Sequence, residues 1–225
     1  MTTTDTTADE SGRPADLEAP AAAAVIGPMA GDPAMLGLGS FIVGSVALGL
    51  ALAGVVPAGV LGAPLAIILA ATALGLLLGA VWAAAVGQSA VAAIFGIFGT
   101  FWLSYAVLVL GLDHNWFAIT AVAVVATVKL FLIAWLVVVV MLTLATLRLP
   151  SAFTVLFALV GLALLLLLIA WAGASPAGVP TEGLIKVAGY VVLVFAALGV
   201  YLFFGASAAG TGGNALPLGK PLLRG

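Results

Sequence analysis

Apolar residues run through this chain in six long blocks, and short stretches rich in Pro, Gly or polar residues separate the blocks. Each block holds about 20 residues or more, which is the length that a helix needs to cross a hydrocarbon layer of about 30 Å. The predicted spans are Leu36–Val56, Leu61–Ala85, Val91–Leu112, Phe117–Leu147, Ala152–Trp171 and Leu184–Phe204. The pattern therefore predicts an all-α polytopic membrane protein whose six transmembrane helices form a bundle.

The composition supports lipid as the solvent for most of this surface. Of the 225 residues, 65% are hydrophobic and only 6% are Asp, Glu, Lys or Arg, whereas roughly 25% of an ordinary soluble domain is charged. A soluble monomer of this size leaves about 25–30% of its unfolded surface exposed to water. Too few polar residues are present to cover such a surface, so we exclude a soluble domain.

The charges divide the chain into three segments. Six of the eight acidic residues lie in the first 32 positions, in a stretch rich in Thr, Ala, Asp and Pro that has no apolar period. We predict a disordered cytosolic tail at residues 1–31, a six-helix transmembrane domain at residues 32–206 and a flexible tail at residues 207–225.

Lys and Arg set the orientation, because short cytosolic loops carry an excess of them. With the N-terminus inside, the cytosolic side holds four of these residues and the outer loops hold only Lys186. The four are Arg13, Arg148, Lys220 and Arg224. We therefore predict a multi-pass protein of the plasma membrane with both termini in the cytosol.

Catalytic patterns are missing from the sequence. There is no cysteine and only one histidine, His114, so the two-histidine motifs of membrane metallohydrolases cannot form. No Gly-x-Ser-x-Gly nucleophile motif, phosphate-binding glycine loop or basic stripe is present. We expect no enzymatic activity, no cofactor, no bound metal and no nucleic-acid partner. His114 lies in a polar turn, where a solvated histidine is the simpler interpretation and a proton sensor the alternative.

Four short motifs resemble, in order, those of the acetate uptake transporter family, the group of succinate–acetate permease. The first motif includes Asp32 and Pro33, and Phe41 follows it. The four are Asp32-Pro-Ala-Met-Leu-Gly-Leu38, Phe98-Gly-Thr-Phe-Trp-Leu-Ser104, Phe153-Thr-Val-Leu-Phe-Ala-Leu159 and Leu216-Pro-Leu-Gly219. The similarity spans roughly residues 32 to 219.

This resemblance implies a homo-oligomer, and members of the family form hexamers. It also implies that each protomer has its own narrow path for acetate and similar small monocarboxylates. It also implies an apolar constriction, which matches Phe41, Phe98 and Phe153 here. Phe98 stands where the family usually has Tyr, and Phe153 where it has Leu. Asp32 replaces the Asn of the first motif and adds a carboxylate near the cytosolic mouth, beside Pro33.

Small residues recur at helical spacing in the third span, where Thr100 and Ser104 follow Gly96. Such a stripe is most often a surface for close helix contact, and the alternative is a groove that faces the path. We assign Thr100 and Ser104 to the candidate path under that alternative.

Lys129 is the one ionisable residue in the middle of a predicted span, about 4 Å from the midpoint of Phe117–Leu147. An ammonium at such depth is unfavourable by about 3 kcal/mol and usually faces a bundle interior or a wet cavity. Two interpretations stay open: Lys129 extends toward the headgroups, or it faces the path and attracts a carboxylate.

Three hypotheses for the function follow. The first is a transporter or channel for acetate and similar small monocarboxylates, with small carboxylates and membrane lipid as its partners. The second is a conduit for ammonia, ammonium or another small solute, which a dry aromatic ring and Asp32 would tolerate. The third is a membrane assembly subunit that transports nothing. Flux of labelled acetate and of labelled methylammonium in liposomes distinguishes them.

Overall fold

A computed structural model describes residues 30–57 and 62–223. These residues form helices and connecting segments, and no strand is present among them. Within residues 30–57 and 62–223, six helices are long and apolar enough to span a membrane, as the sequence predicted. They are α1 Pro33–Leu52, α2 Ala63–Ala85, α3 Ser89–Asp113, α4 Ala121–Arg148, α5 Ser151–Ala172 and α6 Glu182–Gly210. The all-α class and the number of spans are therefore confirmed.

Local chemistry at position 32 fixes the start of α1. The backbone N–H of Ala34 donates a hydrogen bond of 2.9 Å to the carboxylate of Asp32, and Pro33 occupies the first helical position. A carboxylate that accepts from a free backbone N–H stabilises the N-terminus of a helix. Proline is favourable at the first helical position, because an N–H at that position would have no partner within the helix. The first turn of α1, which begins three residues before the predicted Leu36, is thereby well defined.

The start of α4 differs from the prediction. The helix begins at Ala121 rather than at Phe117 because Ala118 has a φ of 51°, in the left-handed region that a right-handed helix cannot include. The ring of Phe117 packs against Gly111 at the end of α3, in the space that a Cβ on Gly111 would fill. Residues 114–120 therefore form a folded-back loop, and α4 is four residues shorter at this end.

Successive helices run in opposite directions, so the bundle has two distinct ends. We call the end where α1 begins and α6 finishes the terminal end, and the opposite end the far end. The strongest contacts join α1 to α6 and to α2, α3 to α2, and α5 to α4 and to α6, whereas α3 and α4 touch little. The helices therefore follow one another around the bundle in the order α3, α2, α1, α6, α5 and α4. The ring is closed between α3 and α4 by aromatic side chains, where Phe101 packs against Phe131 and Trp135.

Glycines let neighbouring helices approach closely. A Cβ on Gly189 of α6 would lie 2.5 Å from the backbone nitrogen of Ala53, just past α1. A Cβ on Gly44 of α1 would collide with the side chain of Thr72 in α2. Small residues at such positions favour helix association in lipid, where the hydrophobic effect supplies no drive between helices.

The chain beyond α6 returns to the helices. The backbone N–H of Ala152 donates to the carbonyl of Leu218 at 3.0 Å, and the hydroxyl of Tyr201 donates to the carbonyl of Pro217 at 2.7 Å. Leu222 and Leu223 both donate to the carbonyl of Leu147. We call residues 211–223 the return segment; it connects the ends of α4 and α6 with the start of α5.

The predicted flexible tail from residue 207 begins inside α6, which continues to Gly210. Its flexibility stays a prediction, as does the boundary at residue 206. The predicted disordered N-terminal segment, apart from Ala30 and Gly31, lies outside the described residues, and so do Arg13 and Arg224.

Candidate functional site

Phenylalanine rings from four helices meet at the centre of the bundle. The ring of Phe41 on α1 packs edge-on against the ring of Phe98 on α3, with 5.7 Å between the centroids. Phe98 also stacks on Phe157 of α5 at 5.5 Å, and Phe41 packs against Phe195 of α6 at 5.7 Å. All four side chains are buried. We call these residues the central phenylalanines.

A cavity of about 300 Å³, the wide chamber, lies between the central phenylalanines and the terminal end. Its walls come from five helices and the return segment. Among the residues that line it, only Asp32 has a polar side chain. The lining residues are Asp32, Ala34, Leu38, Phe41, Leu76, Val91, Ile94, Phe95, Phe98, Phe153, Leu156, Phe157, Leu202, Gly205, Ala206, Ala209, Ala215, Leu216 and Leu218. The chamber is therefore an apolar space with one carboxylate at the terminal end of the bundle.

A second cavity of about 40 Å³, the narrow chamber, lies on the other side of the central phenylalanines. Its volume is enough for one or a few water molecules. Only Trp102 and Tyr105 among its walls carry a polar side-chain atom. The lining residues are Phe41, Leu48, Phe98, Phe101, Trp102, Tyr105, Phe131, Leu132, Val160, Ala163, Leu164, Leu167, Val192 and Phe195.

Phe41 and Phe98 are the two residues that line both chambers. Their exposed fractions are 5% and 3%, and their rings are in contact. The pair therefore lies between the two chambers and forms part of the wall of each.

The structure brings together some of the predicted site residues. Phe41 and Phe98 meet, as the resemblance implied, and Asp32 lies in the wall of the wide chamber. Pro33 is buried at the start of α1. Phe153 also lines the wide chamber, but it lies one helical turn nearer the terminal end than Phe157, and Phe157 is the residue that stacks on Phe98.

Four predicted path residues line neither chamber: Pro33, Thr100, Ser104 and Lys129. Thr100 is exposed, because it follows Phe98 by two positions and so points to the opposite face of α3. Its hydroxyl donates back to the carbonyls of Gly96 and Ile97 within α3. Ser104 likewise bonds to its own helix, at the carbonyl of Phe101.

Lys129 lines neither chamber; on α4 it precedes Phe131 by two positions and Leu132 by three, and these two residues line the narrow chamber. In the observed helix it is about 8 Å from the midpoint, twice the predicted distance, because α4 begins at Ala121. It makes no ion pair with any residue that the structure describes. This position favours extension of the ammonium toward the far end of the bundle.

We therefore expect Lys129→Met to leave the rate of acetate uptake unchanged, within about twofold. The substitution removes a charge that neither chamber contacts and replaces it with an apolar chain of similar length. Initial rates of labelled acetate uptake in liposomes test this expectation. A loss of about tenfold or more would show that Lys129 acts on the path.

Sequence reasoning missed three residues of the site. Phe157, Phe195 and Trp102 lie in stretches where nearly every position is apolar, so no periodicity marks their inward face. A signal was nevertheless present on two helices. Phe157 follows Phe153 by four positions, and Trp102 follows Phe98 by four, so each shares a helix face with a residue that the motifs had identified.

A ring of six apolar helices around two chambers, with a pair of phenylalanines between them, defines an α-helical membrane protein of the channel or transporter class. The chain belongs to the GPR1/FUN34/yaaH family, whose sequence model matches residues 16–214. The resemblance to the acetate uptake transporters is thereby confirmed.

Among solved structures, one described as the bacterial acetate channel SatP has the same fold, with a TM-score of 0.71 and 22% sequence identity. The alignment covers 84% of this chain and 98% of that chain. A search of curated protein sequences found no match.

Proposed function

We propose that this protein conducts acetate and similar small monocarboxylates across the membrane, through one path in each protomer. The observation that supports the proposal is the position of Phe41 and Phe98 as the shared wall of two chambers. The proposed path runs from Asp32 through the wide chamber, past the central phenylalanines and into the narrow chamber. The family and the fold shared with an acetate channel support the choice of solute.

The apolar lining suits a small monocarboxylate better than a larger or more highly charged anion. Transfer of a carboxylate into such a space requires loss of its hydration shell, which is unfavourable unless polar groups replace the water. A short solute needs little space and can pass when one phenylalanine ring turns. A methyl group on the solute makes favourable contact with the same rings.

Uptake into liposomes tests the proposal. Purified protein is reconstituted, and labelled acetate and labelled methylammonium are followed in parallel against protein-free liposomes. The proposal requires protein-dependent acetate uptake. Protein-dependent flux of methylammonium alone would establish the conduit for ammonium instead, and no flux of either solute would support an assembly subunit.

We also propose that both termini are cytosolic and that the protomers assemble as hexamers in the plasma membrane. Within the described residues, Arg148 and Lys220 lie at the terminal end, whereas Lys186 lies at the far end and is paired with Glu182 at 2.7 Å. The excess of positive charge at the terminal end favours the cytosolic side. Only 17% of the most apolar stretch of α4 is buried within the protomer, so this helix is available for contacts with lipid or with neighbouring protomers.

Asp32 sets a limit on anion access in the proposed path. We expect Asp32→Asn to raise the initial rate of acetate uptake about threefold at low ionic strength, because two like charges about 4–6 Å apart repel by about 1 kcal/mol even in water. Asparagine caps a helix N-terminus as well as aspartate does, so α1 should stay intact. Salt screens such repulsion, and the gain should shrink in 0.5 M potassium sulfate. An equal gain at both salt concentrations would contradict an electrostatic effect.

A further inference from the structure

The return segment supplies a part of the wide chamber's wall that is not helical. Ala215, Leu216 and Leu218 of this segment line the chamber. Among the described residues that line it, all the others belong to helices except Asp32, which caps α1. The helices are held by their packing on one another, whereas this part of the wall depends on how firmly the return segment is attached.

Few contacts attach the return segment to the helices. Leu216 and Leu218 are its only partly buried residues, and every other residue from 211 to 223 is exposed. Two hydrogen bonds hold the part that lines the chamber: one from the hydroxyl of Tyr201 to the carbonyl of Pro217, at an exposed position, and one from the N–H of Ala152 to the carbonyl of Leu218. Segments with few buried apolar contacts and exposed hydrogen bonds open locally at low free energy.

A glycine lies on each side of the part that lines the chamber. Gly212 has a φ of 87° and Gly219 a φ of 80°, in the left-handed region that glycine adopts without strain. A Cβ on Gly212 would meet nothing within 4 Å, so no side chain packs against the backbone at that point. Residues 213–218 can therefore change direction at both ends while the helices stay in place.

We propose that residues 213–218 are a movable gate at the entrance of the wide chamber, and that displacement of Leu216 and Leu218 admits solutes from the terminal end. The inference rests on the proposed function, since this gate controls entry to the same path. In the structure the gate is closed against α6, where a Cβ on Gly205 would lie 3.2 Å from the Cβ of Leu216. Burial of apolar area by the two leucines favours this closed position.

A disulfide bond between α6 and the gate tests the proposal. The chain has no cysteine, so Gly205→Cys combined with Leu216→Cys gives a single pair of thiols. Their Cβ atoms would lie 3.2 Å apart, close to the range of about 3.5–4.5 Å in natural disulfides. We expect the oxidised variant to take up labelled acetate in liposomes about tenfold more slowly than the same variant after reduction. Equal uptake in both forms, with the disulfide verified by mass spectrometry, overturns the proposal.

Ala80→Cys combined with Gly96→Cys is the matched control. This pair would join α2 to α3, and a Cβ on Gly96 would lie 3.7 Å from the Cβ of Ala80. Neither residue lines a chamber, so oxidation of this variant should leave uptake unchanged. An equal loss of uptake in the control would also overturn the proposal, because any cross-link within the protomer would then have the same effect.

Tyr201→Phe tests the gate without a transport measurement. The substitution removes the hydrogen bond to Pro217 and keeps the ring, and the net contribution of one such bond corresponds to about a fivefold change in an equilibrium constant. Leu38 lines the wide chamber, so the rate at which a small water-soluble maleimide labels Leu38→Cys reports entry into the chamber. We expect Tyr201→Phe to raise this rate about fivefold.

Tyr190→Phe is the control for the labelling experiment. Tyr190 is an exposed tyrosine on the same helix, eleven residues nearer the far end, and its loss of a hydroxyl should not change the labelling rate. Equal labelling rates in the Tyr201→Phe and Tyr190→Phe variants would refute the gate. Because labelling needs no acetate, absence of acetate uptake by the unaltered protein would refute the proposed function and leave the labelling result to decide on the gate.

Discussion

Replacing Phe98 with alanine is expected to let larger acids through, so that uptake of butyrate and benzoate rises about tenfold relative to acetate. Phe98 is the residue that contacts both Phe41 and Phe157, and it lines both chambers. Loss of its ring joins the chambers into one space. Apolar pockets distinguish solutes that differ by one methylene by about tenfold or more, and this discrimination should be lost. Competition between labelled acetate and each larger acid in liposomes measures the effect.

Phe153→Ala is the control for this experiment. Phe153 lines only the wide chamber, whereas Phe98 lines both chambers, so removal of Phe153 should enlarge the wide chamber without opening the constriction. Removal of a buried phenylalanine can destabilise a protein by about 3–5 kcal/mol, and the elution profile of each variant in detergent shows whether it is folded. Phe98→Leu provides a milder second variant. Unchanged selectivity in folded Phe98 variants would remove this residue from the constriction.

Gly189→Ala is expected to lower the stability of the protein by about 3 kcal/mol or more, an effect at the upper end of those seen for overpacked cores. The added Cβ would lie 2.8 Å from the backbone carbon of Leu52 and 2.5 Å from the backbone nitrogen of Ala53. Backbone atoms cannot relieve such a clash by changing rotamer, as a side chain can. The contact of α1 with α6 is the most extensive in the bundle, so the two helices must separate. The temperature at which the detergent-solubilised protein loses its native elution profile measures the loss.

Gly183→Ala on the same helix is the comparison for Gly189. A Cβ at position 183 meets nothing within 4 Å, and alanine is favoured over glycine within a helix by about 0.5–1 kcal/mol. This variant should therefore be as stable as the unaltered protein or slightly more stable. Equal stability of the two alanine variants would mean that α1 and α6 are not held together at this glycine.

The number and order of the helices followed from the sequence because the length of an apolar block is a direct physical requirement of the bilayer. The ends were less certain. α6 continues to Gly210, six residues past the predicted Phe204, since the alternation of Ala, Ser and Gly there carries neither charge nor proline to stop a helix. The start of α4 was wrong because the left-handed backbone of Ala118 has no signature in the sequence.

The site was predictable only in part. Phe41 and Phe98 were identified by motifs in the first and third helices, and the structure brings their rings into contact. The inward positions of Phe157 and Phe195 did not follow from the sequence, because helices that are apolar all round do not show which side faces the bundle centre. Lys129 is a rare charge within a span, but its depth depends on where α4 begins, and in the structure it lines neither chamber.

The hydrogen bonds of the return segment affect where a tag can be attached to this protein. Leu216 and Leu218 line the wide chamber, and the same stretch is hydrogen-bonded to Ala152 and Tyr201. The return segment thus forms one wall at the entrance of the proposed path. An affinity tag joined directly after it would disturb this wall, so kinetic comparisons are best made with the tag on the N-terminus or cleaved away.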